Sequence, residues 1–160
     1  MRLSILVIFL LIGLPGLTTG QNINFTLPDL ENRQRSFSEL KGDKLTVIDF
    51  WATWCRPCLR AIPELNTIHY LYREKGVRVI GINCDGPRSA SKVIPLSRSL
   101  QIKYTVLRDM NTDVMKKLNL SAFPTLVLAG SNGEILWVHE GFIPGDEETI
   151  KQQIEKYLAE

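Results

Sequence analysis

The hydrophobic positions of this chain switch repeatedly between two periods. At 45–50, Leu45, Val47, Ile48 and Phe50 form an apolar, β-favouring run of the kind that fills a central strand. From Arg56 onward, Leu59, Ile62, Leu65, Ile68, Leu71 and Tyr72 recur at helical spacing until Gly76 stops them. Pro63 falls inside that helix and is expected to kink it. A second strand follows at 77–83. The stretch 89–100 reads as a helix broken at Pro95, and 104–108 as a short strand. A short helix is expected at 113–118, with Asp113 at its start and Lys116 and Lys117 near its end, as the helix dipole favours. Strands at 125–129 and 135–139 flank Ser131-Asn132-Gly133, a hairpin turn signal. Gly141 to Gly145 is a loop, and 146–158 closes the chain as an amphipathic helix with Ile150, Ile154 and Leu158 on one side.

Ahead of the central strand the pattern is weaker. Phe25, Thr26 and Leu27 suggest a short strand, Pro28-Asp29 a turn, and 36–40 a single helical turn. The resulting order, β-α-β-α-β-α-β-β-α, calls for an α/β fold: a central mixed sheet with helices on both faces. Its first half is parallel, and the last hairpin adds antiparallel strands.

The first twenty residues stand apart. Arg2 precedes an almost wholly apolar run from Leu3 to Leu14, Pro15-Gly16 break it, and small residues lead up to Gln21. This is the layout of a secretory signal peptide, with a retained N-terminal anchor as the alternative. The run is short for a bilayer span. No cysteine follows Gly20, which argues against a lipid-modified terminus. Residues 21–160 form one domain, long enough for a real core. A net charge of +2, with both signs spread along the chain, gives no reason to expect nucleic acid or an anionic membrane surface as a partner.

The chemistry gathers at Cys55-Arg56-Pro57-Cys58. The central strand runs into a turn, and the helix begins at the cysteines, with Pro57 just inside it where a missing N–H is harmless. Unpaired backbone N–H groups and the dipole at a helix start favour an anion, and thiolate is the reactive form of cysteine. Cys58 lies one turn on, close enough to form and reopen a disulfide. A structural staple normally joins distant segments, since closing a very short loop gains little. A structural zinc site would need a second ligand pair, which Cys84, His69 and His139 do not supply at the usual spacing. Cys84 reads as a buried inert thiol and His139 as an ordinary strand residue. No metal or other cofactor is expected.

Phe50-Trp51-Ala52-Thr53-Trp54-Cys55-Arg56-Pro57-Cys58, with Phe123-Pro124-Thr125 far downstream, resembles the thioredoxin superfamily. The closer likeness is to exported TlpA/ResA-like thiol-disulfide oxidoreductases, which carry an inserted strand-helix unit like the one at about 85–108. The resemblance implies a thioredoxin-like fold and four roles. Cys55 is the exposed nucleophile, Cys58 the buried resolving cysteine, and Pro124 a cis proline facing the disulfide. Asp49 is a buried acid that moves the proton of Cys58. Thioredoxins place a lysine beside that acid; here Gly81 stands at about that point. Trp54, Arg56 and Phe123 are the expected substrate contacts, with Arg56 also read as a stabiliser of the Cys55 thiolate. The implied partners are proteins bearing thiols or disulfides, and a membrane electron donor. The implied setting is extracytoplasmic, most simply a bacterial periplasm. Reduction of partner disulfides, including the reaction that yields apocytochrome c thiols, is the expected direction, with a disulfide-donating oxidase as the alternative. A thiol peroxidase is disfavoured, because Ile48 and Ala52 occupy the places of its proline and threonine. A binding module that never cycles its cysteines is the remaining rival.

Overall fold

The structure, a computed structural model, describes residues 22–160. The expected export segment therefore lies outside the described residues. In chain order the elements are β1 (Thr26–Pro28), β2 (Gln34–Ser36), α1 (Phe37–Leu40), β3 (Leu45–Trp51), α2 (Arg56–Tyr72) and β4 (Val77–Asn83). They are followed by α3 (Val93–Ser99), β5 (Thr105–Arg108), α4 (Asp113–Lys117), β6 (Thr125–Gly130), β7 (Ile135–Glu140) and α5 (Asp146–Ala159).

Five strands form the central sheet in the order β5-β4-β3-β6-β7. β3 pairs parallel with β4, and β4 with β5; β6 runs antiparallel to both β3 and β7. β3 is buried along its whole length, as its continuous apolar run requires. Alternation along it sends Leu45, Val47, Asp49 and Trp51 to one face and Ile48 and Phe50 to the other. The first face packs against Ala61, Leu65 and Ile68 of α2 and Ile150 and Ile154 of α5. The second meets Phe37 of α1 and Val114 and Met115 of α4. Helices thus cover both faces, as expected.

Two local readings need correction, those at Pro28 and at Pro95. β2 has no apolar run to announce it; it exists because Asp29 organises a tight reversal after β1. Its carboxylate accepts from the backbone N–H groups of Glu31 and Arg33, each at 2.9 Å, and from Arg33 Nε at 2.9 Å. Pro28 consequently ends a strand and does not begin the turn. Pro95 breaks nothing: a 3-10 turn over Ala90–Lys92 leads into α3 at Val93, so Pro95 falls in the first helical turn, where no backbone donor is needed. α2 continues as one helix through Pro63. The inserted unit contributes α3 and the edge strand β5, and Asp29 bridges to Leu107 along that edge, so the N-terminal hairpin shields it.

Candidate active site

β3 ends at Trp51, and the chain turns through Ala52, Thr53 and Trp54 before α2 starts at Arg56. Cys55 is the N-cap of α2. Its backbone N–H donates to the Ala52 carbonyl at 3.1 Å, and its sulfur accepts from the Cys58 backbone N–H at 3.2 Å. The helix N-terminus therefore points a donor at Sγ, the arrangement that favours an ionised sulfur. Cys55 and Cys58 are joined, with an S–S distance of 2.05 Å and Cα atoms 5.3 Å apart.

The expectation of an openly exposed nucleophile is corrected. In the disulfide form Cys55 keeps only 5% of its surface accessible, because the turn folds back through Ala52 and Phe123 packs against the same cluster. The order within the pair is as expected, since Cys58 has no exposed surface at all. Around this small opening stand the exposed ring of Trp54 and the exposed Arg56. Trp54 meets Phe123 edge-on, with centroids 5.5 Å apart. The Phe123-Pro124 peptide is cis, and the Pro124 carbonyl accepts from Gly141 N–H at 2.8 Å. Trp54, Phe123 and the cysteines, far apart in sequence, thus share one rim.

Asp49 lies on the β3 face beneath α2, between Val47 and Trp51, which pack against that helix. It is fully buried, and burial pushes its carboxyl up to about 8. Neither carboxyl oxygen has a hydrogen-bond partner among the described residues. Cys84 is buried and free; burial, with smaller contributions from Asp109, Asp49 and Asp85, raises its thiol far above the ordinary value. That disfavours the reactive thiolate form at this position. His139 contacts Asp146 at the start of α5, at 3.1 Å.

Sequence reasoning missed Asp85. Its carboxylate accepts from Thr53 N–H at 2.7 Å, Thr53 Oγ1 at 2.6 Å and Asn83 Nδ2 at 2.8 Å. Burial would raise this carboxyl, but bonds from Ser89, Thr53 and Asn83 outweigh burial and hold it below its usual value. Asp85 therefore ties the end of β4 to the turn just before Cys55. The contact spans 32 positions, so no local signal could have shown it. Asp85→Ala would leave Thr53 and Asn83 donors unpaired and is expected to destabilise the fold by about 1–3 kcal/mol. Urea unfolding checks this, and an unchanged midpoint would show that the clamp is dispensable.

A cysteine pair capping a helix behind a central strand, on this sheet order, defines a thiol–disulfide exchange enzyme of thioredoxin-like fold. The chain belongs to the AhpC/TSA family, whose pattern matches residues 19–138. It is 30% identical over 135 residues to the thiol-disulfide oxidoreductase ResA of Bacillus thuringiensis subsp. konkukian, covering 84% of this chain and 73% of that protein. The ResA of Halalkalibacterium halodurans is 31% identical over 141 residues, covering 86% and 73%. Among solved structures, a Chlorobium tepidum protein described as a thiol:disulfide interchange protein DsbE superposes with a TM-score of 0.79 at 29% identity, covering 87% of this chain and 96% of that one. StoA from Bacillus subtilis shares the fold, with a TM-score of 0.68 at 20% identity over 84% of this chain and 98% of the other.

Proposed function

We propose that this enzyme works outside the cytoplasm and reduces disulfides in partner proteins, recharged by a membrane electron donor. The observation that carries the reading is the Cys55–Cys58 disulfide at the start of α2, with the residual opening on Cys55. Cys55 thiolate attacks one sulfur of a substrate disulfide. The substrate S–S bond breaks, a mixed disulfide forms, and one substrate thiolate leaves. Cys58 gives its proton to Asp49 and attacks Cys55 Sγ. The enzyme disulfide closes and the second substrate thiolate is released.

Trp54 and Phe123 form the apolar rim against which the substrate segment lies. Arg56 supplies a positive charge beside the Cys55 sulfur. Phe123 precedes the β6 ladder, which begins at Thr125, and its backbone pairs with an extended substrate strand next to Pro124. Residues 1–20 act as a signal peptide or an N-terminal anchor, which places the domain in the periplasm or its equivalent. The relatives named ResA and DsbE support the class, and a role in preparing apocytochrome c thiols fits the same chemistry.

The test is the reduction potential of the Cys55–Cys58 pair, measured against a glutathione or dithiothreitol series. A reductant should fall near the thioredoxin value of about −270 mV; a value near the DsbA figure of about −120 mV would assign the disulfide-donating oxidase instead.

A further inference from the structure

The buried Asp49 has no cationic partner on the neighbouring strands. Across the sheet its Cα partners are Gly81 on β4 and Leu126 on β6. Register partners in a parallel pair project to the same face, so any side chain at position 81 would lie beside the Asp49 carboxyl. That place is already filled. A Cβ on Gly81 would come within 3.0 Å of Tyr104 Cε2 and 3.2 Å of Trp51 Nε1. Trp51 stands two residues from Asp49 on the same face of β3. Tyr104 comes from the connection that leads into β5, inside the inserted unit.

The chemistry of these groups is complementary. Both Asp49 oxygens, Trp51 Nε1 and the Tyr104 hydroxyl are buried, and none has a hydrogen-bond partner among the described residues. A carboxylate only accepts, an indole only donates, and a phenol can donate. Buried polar groups of this kind are seldom left unpaired. Burial first, and then the Asp49 charge, push the Tyr104 phenol well above its usual value, so it remains a neutral O–H donor at working pH.

We propose that Tyr104 is a positioning residue for Asp49: its ring fills the place that Gly81 leaves open, and its hydroxyl, unpaired in the disulfide form, donates to the carboxylate once Asp49 ionises and so sets the pH at which Asp49 accepts the Cys58 proton. The inference rests on the proton-acceptor reading of Asp49 given above. In the resolving step the Cys58 S–H proton passes to the Asp49 carboxylate as Cys58 sulfur bonds to Cys55 Sγ. The bond from Cys55 to the substrate sulfur breaks, and that sulfur leaves with the electron pair as a thiolate. A hydrogen bond to the charged form of an acid favours that form. Tyr104 therefore makes Asp49 a carboxylate, ready to accept, at a lower pH than burial alone would allow.

Other titratable groups face the pair. Cys84 after β4 is near enough for the Asp49 charge to act on it, Cys58 on α2 packs in one cluster with Trp51, and β6 presents only Leu126. The ring of His69 on α2 lies 6.5 Å from that of Tyr104. Tyr104 also lines two surface cavities, one carrying Asp29, Glu31, Arg33 and Arg35, the other Glu31, Arg98 and Lys103.

Tyr104→Phe keeps the ring and removes only the hydroxyl. The pH midpoint of Asp49 is read from the infrared band of its protonated carboxyl, assigned by its loss in Asp49→Asn. Tyr104→Phe is expected to raise that midpoint by about one pH unit, about tenfold less carboxylate at a given pH below it. The pH profile of mixed-disulfide resolution should move by the same amount, and the shift should vanish when both variants are combined. An unchanged midpoint, a shift that persists in Asp49→Asn, or a shift produced equally by His69→Gln would overturn the assignment. The infrared reading needs no turnover. A protein that failed to reduce disulfides would defeat the functional proposal while still deciding the Tyr104 link.

Discussion

Cys55→Ser is expected to abolish insulin disulfide reduction with a dithiol donor, leaving only the rate of the donor itself. Serine keeps the size of the side chain and the N-cap acceptor, so the fold should survive. It removes the one group in the pair with a path to solvent and the sulfur that receives the Cys58 N–H. Cys58 cannot substitute, because it has no exposed surface. The companion variant, Cys58→Ser, leaves the nucleophile in place and removes the group that resolves its product. It should accumulate mixed disulfides between Cys55 and partner proteins, visible as thiol-sensitive bands on a non-reducing gel. Retained reductase activity in Cys55→Ser would sink the catalytic reading outright.

Asp49→Asn is expected to stabilise the protein while slowing it. The carboxyl ionises near 3.8 in the open chain and at about 8 in the fold. Between those values the folded state holds a proton that the unfolded state has lost. The contribution of this group to stability is therefore greatest below about pH 4, falls by about 1.4 kcal/mol per pH unit, and stops falling above about pH 8. At pH 7 the loss amounts to about 4 kcal/mol. Asparagine mimics the protonated acid at every pH, so the variant should recover that amount, which corresponds to a rise of roughly 10 °C in Tm for a domain of this size. Its urea midpoint should be nearly flat from pH 4 to 8 where the wild type declines. The same change removes the acceptor for the Cys58 proton, and the resolving step should slow by about a hundredfold, the low end for a positioned base. Parallel pH–stability curves for the two proteins would mean that Asp49 is not held protonated by burial. Gain of stability with loss of rate is the usual signature of a buried group kept for chemistry.

Much of the site was legible because its signals are local. The run from Leu45 to Phe50, the proline just inside the helix and the spacing of Leu59, Ile62 and Leu65 each act within a few residues. Together they place Cys55 where a strand hands over to a helix. The hairpin at Ser131-Asn132-Gly133 was readable for the same reason, with Gly133 at φ 86° as its turn demands. Polar, short elements were not readable. β2 is Gln34-Arg35-Ser36, which has no strand pattern of its own and is held by Asp29 and by pairing with β1. Pro95 looked like a breaker because sequence does not show that the helix starts only two residues earlier.

The amino-acid order by itself determined the alternating α/β fold, the position of the cysteine pair at a helix start and the burial of Asp49 in a central strand. Those outcomes follow from hydrophobic period, proline and glycine chemistry, and dipole direction, all of which act along the chain. Only the tertiary structure decided how covered Cys55 is, that Asp85 clamps Thr53, and that Tyr104 fills the place beside Gly81. Each of these joins segments tens of residues apart, and such contacts depend on how layers pack and on which strands become neighbours. No spacing in the chain encodes them.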